Sequence, residues 1–254
     1  VIAQMLGVPP EDWETLRGWV HGIVLSRGIV RTPEMMAEGD ASARNFDEYL
    51  RRLIAEKKFS LGGDLMSALL SVEEKGKKLS DDQIVTMIET LFAAGHATTR
   101  NLIGNGVLAL LRNPAELKKL RENPGMIASA VEEMLRYDSP TQAPSPQIAT
   151  EDVVLGGHRI NKGETVSVLF GAANRDPARF PEPDRFEIAR KDNEHLAFSH
   201  GIHYCLGASL ARMEAQIAIA ALVRRMPSMR LASENLEWRK AGRFRGLVAL
   251  PVEV

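Results

Sequence analysis

The chain has one cysteine in 254 residues, so no disulfide can form within it, and its single thiol calls for another explanation. A reducing compartment suits that count, and a cytoplasmic location is expected. Charge of one sign is not in excess either. Against 33 Asp+Glu stand 32 Lys+Arg, a formal net charge of -1. That gives no electrostatic basis for binding nucleic acid or an anionic membrane surface. No apolar run approaches the ~20 residues needed to span a bilayer. The opening V-I-A-Q-M-L-G-V-P-P lacks the basic stretch that leads a signal peptide, and it has no initiator Met, so it reads as a chain entered in the middle. Repeats, low-complexity tracts and flexible linkers are also missing. At 44% hydrophobic and 26% charged, the composition is that of a soluble protein with enough apolar residues for a large core.

What is present in the first half is helix. Pro9 and Pro10 followed by Glu11 and Asp12 make a helix start, and Trp13, Leu16, Trp19 and Val20 carry it to about Gly28. A second helix is expected from near Pro33 to Lys58, with Phe46, Leu50, Leu53 and Ile54 at helical spacing. Asp64 caps a third, running towards Gly76. The strongest begins at Ser80, where S-D-D-Q offers a capping box and Leu79 with Ile84 a hydrophobic staple. It continues to about Asn113, a length of about 50 Å. Pro114–Glu122 and Met126–Tyr137 follow. From Pro140 the pattern becomes mixed. Short β-like runs are expected near 146–149, 152–155, 158–160 and 165–169, then an ordered non-helical loop over 174–184, a long helix from Leu206 to Met226 and a strand over 247–254.

Cys205 lies in F-S-H-G-I-H-Y-C-L-G (198–207), between Gly201 and Gly207 and directly before a long helix. On count alone, a lone cysteine reads as a small buried apolar residue. The surroundings reverse that reading, because free backbone N–H groups and a positive helix end favour thiolate over thiol. The run A-G-H-A-T-T (94–99) places a Gly and two Thr inside the longest helix, where a Thr hydroxyl bonding back to a carbonyl can open or bend it. Glu133 and Arg136 stand at i, i+3 in E-E-M-L-R (132–136), and T-Q-A-P-S-P-Q-I-A (141–149) reads as a Pro-broken edge strand. His21, His158, His195 and His200 show no metal spacing and read as surface or loop histidines. His96, beside the Gly and Thr pair, reads as structural.

The pattern F-x-x-G-x-H-x-C-x-G over 198–207 resembles the cysteine-ligand loop of cytochrome P450s, with His203 where many members carry Arg. The resemblance covers essentially the whole chain but lacks the family's N-terminal portion. It implies a mainly α fold with small β-sheets (α+β), the C-terminal helix-rich core of that family, as one domain over 1–254. Its helical part would span about 1–139 and its haem-binding part about 140–254. It implies haem b (iron protoporphyrin IX) ligated by Cys205, with Phe198 shielding the sulfur and Gly201 and Gly207 admitting the flat cofactor. His203 and Gln147 fall where propionate contacts are expected; Gln147 replaces a customary Arg and brings no charge.

By the same resemblance, Thr98 corresponds to the oxygen-activating threonine, with Ala94 and Gly95 beside the O2 niche. Ala97 stands where the family has Asp or Glu, which removes a candidate proton relay. Leu91, Ala143, Pro144, Ser145 and Phe244 would line the substrate pocket. Glu133 and Arg136, completed by Arg185 in P-D-R-F (183–186), would form a buried structural network.

The expected function is a haem-thiolate monooxygenase that inserts one atom of O2 into an apolar small molecule, with electrons from a ferredoxin- or flavodoxin-type donor. The alternative is a truncated homologue that holds haem weakly or not at all and acts as a binding module. A peroxide-driven enzyme is a third reading. Apolar surface left uncovered in the first half implies a homo-oligomer.

Overall fold

The computed structural model describes residues 1–26, 32–74, 76–239 and 242–254. It divides into two compact units, Val1–Ala97 and Thr98–Val254. The division falls within the longest helix.

In the first unit α1 (Ile2–Met5) precedes a 3-10 turn at Pro10–Asp12 and α2 (Trp13–Ser26). The expected end of α2 at Gly28 lies outside the described residues. α3 (Pro33–Phe59) is capped by Thr32, whose hydroxyl accepts the Met35 N–H at 3.2 Å. α4 (Leu65–Ser71) is capped by Asp64 through the Ser67 N–H at 2.9 Å. The helix expected to continue towards Gly76 stops at Ser71. A small antiparallel pair follows, β1 (Glu73–Glu74) with β2 (Lys77–Lys78), turning at Gly76 with φ +76°. This core gathers Leu16, Val20, Phe46, Leu50, Ile54 and Met66 from α2, α3 and α4. Trp19, Phe46, Tyr49 and Phe92 form an aromatic chain, and the Phe46–Phe92 pair meets edge-on at 5.6 Å.

The longest helix, α5 (Asp81–Arg112), starts with the reciprocal bonds its sequence implies. Ser80 N–H donates to Gln83 Oε1 at 2.9 Å, and Gln83 N–H donates to Ser80 Oγ at 3.3 Å. The helix is unbroken to Arg112, so the interruption that A-G-H-A-T-T could cause does not occur.

The second unit contains α6 (Pro114–Glu122), α7 (Ile127–Tyr137), α8 (Phe170–Ala173) and α9 (Ala208–Arg225). α7 is strongly amphipathic and packs Ala130, Val131, Met134 and Leu135 against Ala215, Ile219 and Val223 of α9. Three two-stranded antiparallel sheets accompany them: β3 (Gln147–Ile148) with β6 (Thr165–Val166), β4 (Val153–Leu155) with β5 (His158–Ile160), and β7 (Arg230–Leu231) with β8 (Val252–Glu253). The strand expected over 247–254 is reduced to β8 and a single bridge from Leu247 to Trp238. The architecture is mainly helical with small antiparallel sheets, as the sequence implies. No described helix is long and apolar enough to cross a membrane.

Candidate functional site

The cysteine loop is shaped by local backbone geometry. Ser199 has φ +64° and Gly201 φ +69°, two left-handed residues one apart, which reverse the chain before a 3-10 turn at Gly201–His203. Cys205 N–H then donates to the Phe198 carbonyl at 2.9 Å, closing the loop. The Cys205 carbonyl accepts from Ala208 N–H at 3.2 Å as α9 begins. Gly207 is the α9 N-cap and no side chain caps it, so the amides between Ala208 and Ala211 at the start of this 18-residue helix have no side-chain acceptor from the cap. Gly207 has φ -87°, which any residue adopts. A Cβ at Gly201 or Gly207 would meet nothing within 4 Å. The space in front of both glycines is therefore open.

Phe198 is buried and Cys205 half-buried against the second core, whereas Leu206 is 88% and Ile202 98% exposed. A soft thiol donor, uncapped amides, open glycines and uncovered apolar side chains on one loop fit a flat, apolar, metal-bearing group such as haem. His203 is exposed at the edge of the same loop.

Arg136 is wholly buried in α7 and uses all five of its guanidinium donors. Nε and Nη2 fork onto Glu133 at 2.8 Å each. Nη1 reaches the carbonyls of Asn174 (2.9 Å) and Pro183 (2.8 Å), and Nη2 that of Arg185 (3.1 Å). The side chain completing this network is Arg190, not the expected Arg185. Arg190 Nε donates to Glu133 Oε2 at 3.2 Å and is 8% exposed, while the Arg185 side chain turns outward to Glu182 and is 55% exposed. Arg185 contributes only its carbonyl, because its backbone lies over Arg136 while its side chain points to solvent. Buried Asn174 ties this network to the cysteine loop, accepting the Leu196 N–H at 2.7 Å and donating to Ser139 Oγ at 2.9 Å.

A second cluster lies beside Glu133. Glu132 takes a bidentate fork from Arg212 of α9 (2.8 and 2.9 Å) and faces His195 Nε2 at 3.2 Å. Burial pushes the Glu132 carboxyl up, but the bonds from His195 and Arg212 outweigh it and hold the group down at about 2. His195 is in a loop, as expected, yet its side chain is 3% exposed, so it is not a surface histidine. Sequence reasoning missed Glu132, Asn174, Arg190 and Arg212. Only the doubled Glu of E-E-M-L-R hinted at two separate roles.

Other expected site residues lie as follows. Thr141 and Phe244 form a β-bridge, Gln142 N–H donates to the Arg243 carbonyl at 2.8 Å, and Arg243 bonds Ser145 Oγ. Thr141 is thus held to Phe244 and Ser145 to the neighbouring Arg243. Gln147 is exposed in β3, opposite Val166. Thr98 lies on α5 in the second unit, and Leu91, Ala94 and Gly95 lie on α5 in the first.

The site is thus a sulfur presented from a closed loop at a helix start, with a fully satisfied buried Glu–Arg pair holding the preceding irregular segment. The family model for Cytochrome P450 matches residues 30–228, and the chain belongs to that family. It is 46% identical over 252 residues to the biotin biosynthesis cytochrome P450 of Bacillus subtilis, covering 99% of this chain and 63% of that protein. It is 44% identical to cytochrome P450 107B1 of Saccharopolyspora erythraea, covering 99% and 61%. Among solved structures, P450BioI in complex with hexadec-9Z-enoic acid ligated acyl carrier protein matches with TM-score 0.94 and 47% identity, over 99% of this chain and 64% of that one. The chain therefore spans less than two thirds of these relatives' length.

Proposed function

We propose that this chain is the haem-binding portion of a P450-type monooxygenase that inserts one oxygen atom from O2 into an apolar small molecule. The observation that carries the reading is the Cys205 loop, closed onto Phe198 and opening into the uncapped start of α9. Haem b, when bound, supplies the O2 chemistry. Cys205 would provide its sulfur ligand. Phe198 would keep water from the sulfur, and His203 and Gln147 would hydrogen-bond the propionates. Thr98 would orient a proton-bearing water; Ala94 and Gly95, the other residues the resemblance assigns to this niche, lie in the first unit, where Ile2 packs against Gly95. With Ala97 carrying no carboxylate, that proton must come through Thr98 and solvent. Ala143, Pro144, Ser145 and Phe244 would line the substrate pocket on the side of the second unit, and Leu91 is the first unit's candidate. Electrons come from a ferredoxin- or flavodoxin-type donor.

An apolar substrate is supported by two relatives solved with long acyl chains, P450BioI with its hexadec-9Z-enoic acid and the myxobacterial CYP267B1 with myristic acid. Self-association is also proposed. Phe59 at 93% exposure supports it, and a monodisperse monomer in light scattering at micromolar concentration would refute it.

Reduction under carbon monoxide tests the central reading. A strongly red-shifted Soret band that vanishes in Cys205→Ala is the expected result. No haem absorbance after reconstitution would overturn it.

A further inference from the structure

Phe198 is joined to Cys205 through the loop-closing hydrogen bond, and its ring has three neighbours. The Arg212 guanidinium lies over it at 4.5 Å from the centroid, the His195 ring at 6.0 Å and the Tyr204 ring at 6.5 Å. All three trace back to one carboxylate. Glu132 binds Arg212 through two parallel bonds and meets His195 directly, and Arg212 Nη1 reaches the Tyr204 hydroxyl at 3.2 Å. These atoms belong to α7, α9 and the cysteine loop, so a single ion pair links three separately placed segments around one ring.

We propose that the Glu132–Arg212 pair is a positioning device that clamps Phe198 in place and so governs how far the Cys205 sulfur is covered. The fork fixes the guanidinium plane, and a fixed plane can stack on an aromatic face in a way a flexible ammonium cannot. Arg212 and Glu132 are 29% and 28% exposed, so the pair is shielded enough to hold a geometry but reachable enough to tolerate substitution. The carboxylate stays ionised at neutral pH, held down by its two basic partners. Glu132 and Arg212 touch neither the sulfur nor a reacting atom; they act through Phe198. The functional meaning of that cover rests on Cys205 being the metal ligand, but the reach of a thiol label to Cys205 does not.

Because Cys205 is the only thiol, any thiol label reports on it alone. The test is the alkylation rate of the haem-free chain with iodoacetamide, measured beside its urea unfolding midpoint. The variants are Glu132→Gln, Arg212→Lys and Arg212→Ala, with Arg179→Ala as control. Arg179 pairs with Asp192 and Glu194 and makes no bond to the cysteine loop. Glu132→Gln and Arg212→Lys should each label several-fold faster than the unaltered chain and than any control of equal midpoint. Arg212→Lys should behave more like Arg212→Ala than like the unaltered chain, since it keeps the charge and loses the fork. Should Arg212→Ala fail to fold, the two conservative variants carry the test. Unchanged rates, or rates that follow the midpoint alone, would overturn the proposal. Haem-loaded samples add a second reading: the red-shifted band of the reduced carbon monoxide complex should decay faster in the same variants. A chain that never takes up haem would refute the proposed function and leave the alkylation result standing.

Discussion

Glu132 and Glu133 are consecutive on α7, and their carboxylates hold different parts of the second unit. Successive helical residues point about 100° apart. Glu133 therefore turns into the interior, where Arg136, Arg190 and the Glu187 N–H surround it, while Glu132 turns towards Arg212 of α9 and His195. One helical turn thus anchors both the irregular segment before the cysteine loop and the loop itself.

Glu133→Gln removes the countercharge of a guanidinium that has no exposed surface. Breaking a buried pair from one side costs about 3–5 kcal/mol. A fall of that size in urea-unfolding stability is expected, together with loss of the ordered segment that Arg136 supports. A change below about 1 kcal/mol, the range of an exposed pair, would refute the buried network.

Arg190 and Arg185 should separate cleanly. Arg185 pairs with an exposed Glu182 and its carbonyl survives substitution, so Arg185→Ala should leave stability close to that of the unaltered chain. Arg190→Ala deprives buried Glu133 of a donor and should cost about 2–3 kcal/mol. Chemical denaturation of the two variants side by side gives the order directly.

Glu132 sets a pH dependence. Its carboxyl is held down at about 2 in the fold, well below the ordinary glutamate range. A lowered folded value contributes stability above the unfolded value and loses it as pH falls through the folded one. The contribution, at most roughly 3 kcal/mol, should be complete at neutral pH and disappear between about pH 4.5 and 2. Asp138 acts in the opposite sense, because burial raises its carboxyl more than Arg245 lowers it. The measurement is therefore the difference between the unaltered chain and Glu132→Gln across that window, which should shrink towards zero at the acid end.

Gly246 is held to glycine by a neighbour. A Cβ there would run into the side chain of Asn101, a buried residue of α5. Gly246→Ala should destabilise by about 1–3 kcal/mol. Asn101→Ala in the same chain should recover part of that loss, giving a coupling that a double-mutant cycle resolves. Additive effects would show that the two residues do not meet.

The boundaries of α5 and α6 were legible because each carries its own signals. Ser80 and Gln83 close a capping box, and Pro114 stands at a first helical position. The cysteine loop was legible for a similar reason, since its spacing is short and local. Arg190 was not. Arg185 and Arg190 sit in one irregular segment with no period, and only the folded path decides which side chain turns inward. Gln83 is three residues from its partner, whereas Arg212 is 80 residues from Glu132. Pairings of that separation leave no mark in the local pattern. The helix-forming signals before Gly76 also carried too far, because nothing near Ser71 announces a stop.

Each β-sheet among the described residues has only two strands, so each ribbon has two unpaired edges. β4 is exposed along its length, with Val154 at 68% and Leu155 at 64%. A two-stranded ribbon with solvent on its edges opens without disturbing the rest of a fold. Its amides should trade deuterium almost as freely as loop amides, while those of α7, wrapped around Arg136, should exchange only when the whole second unit opens.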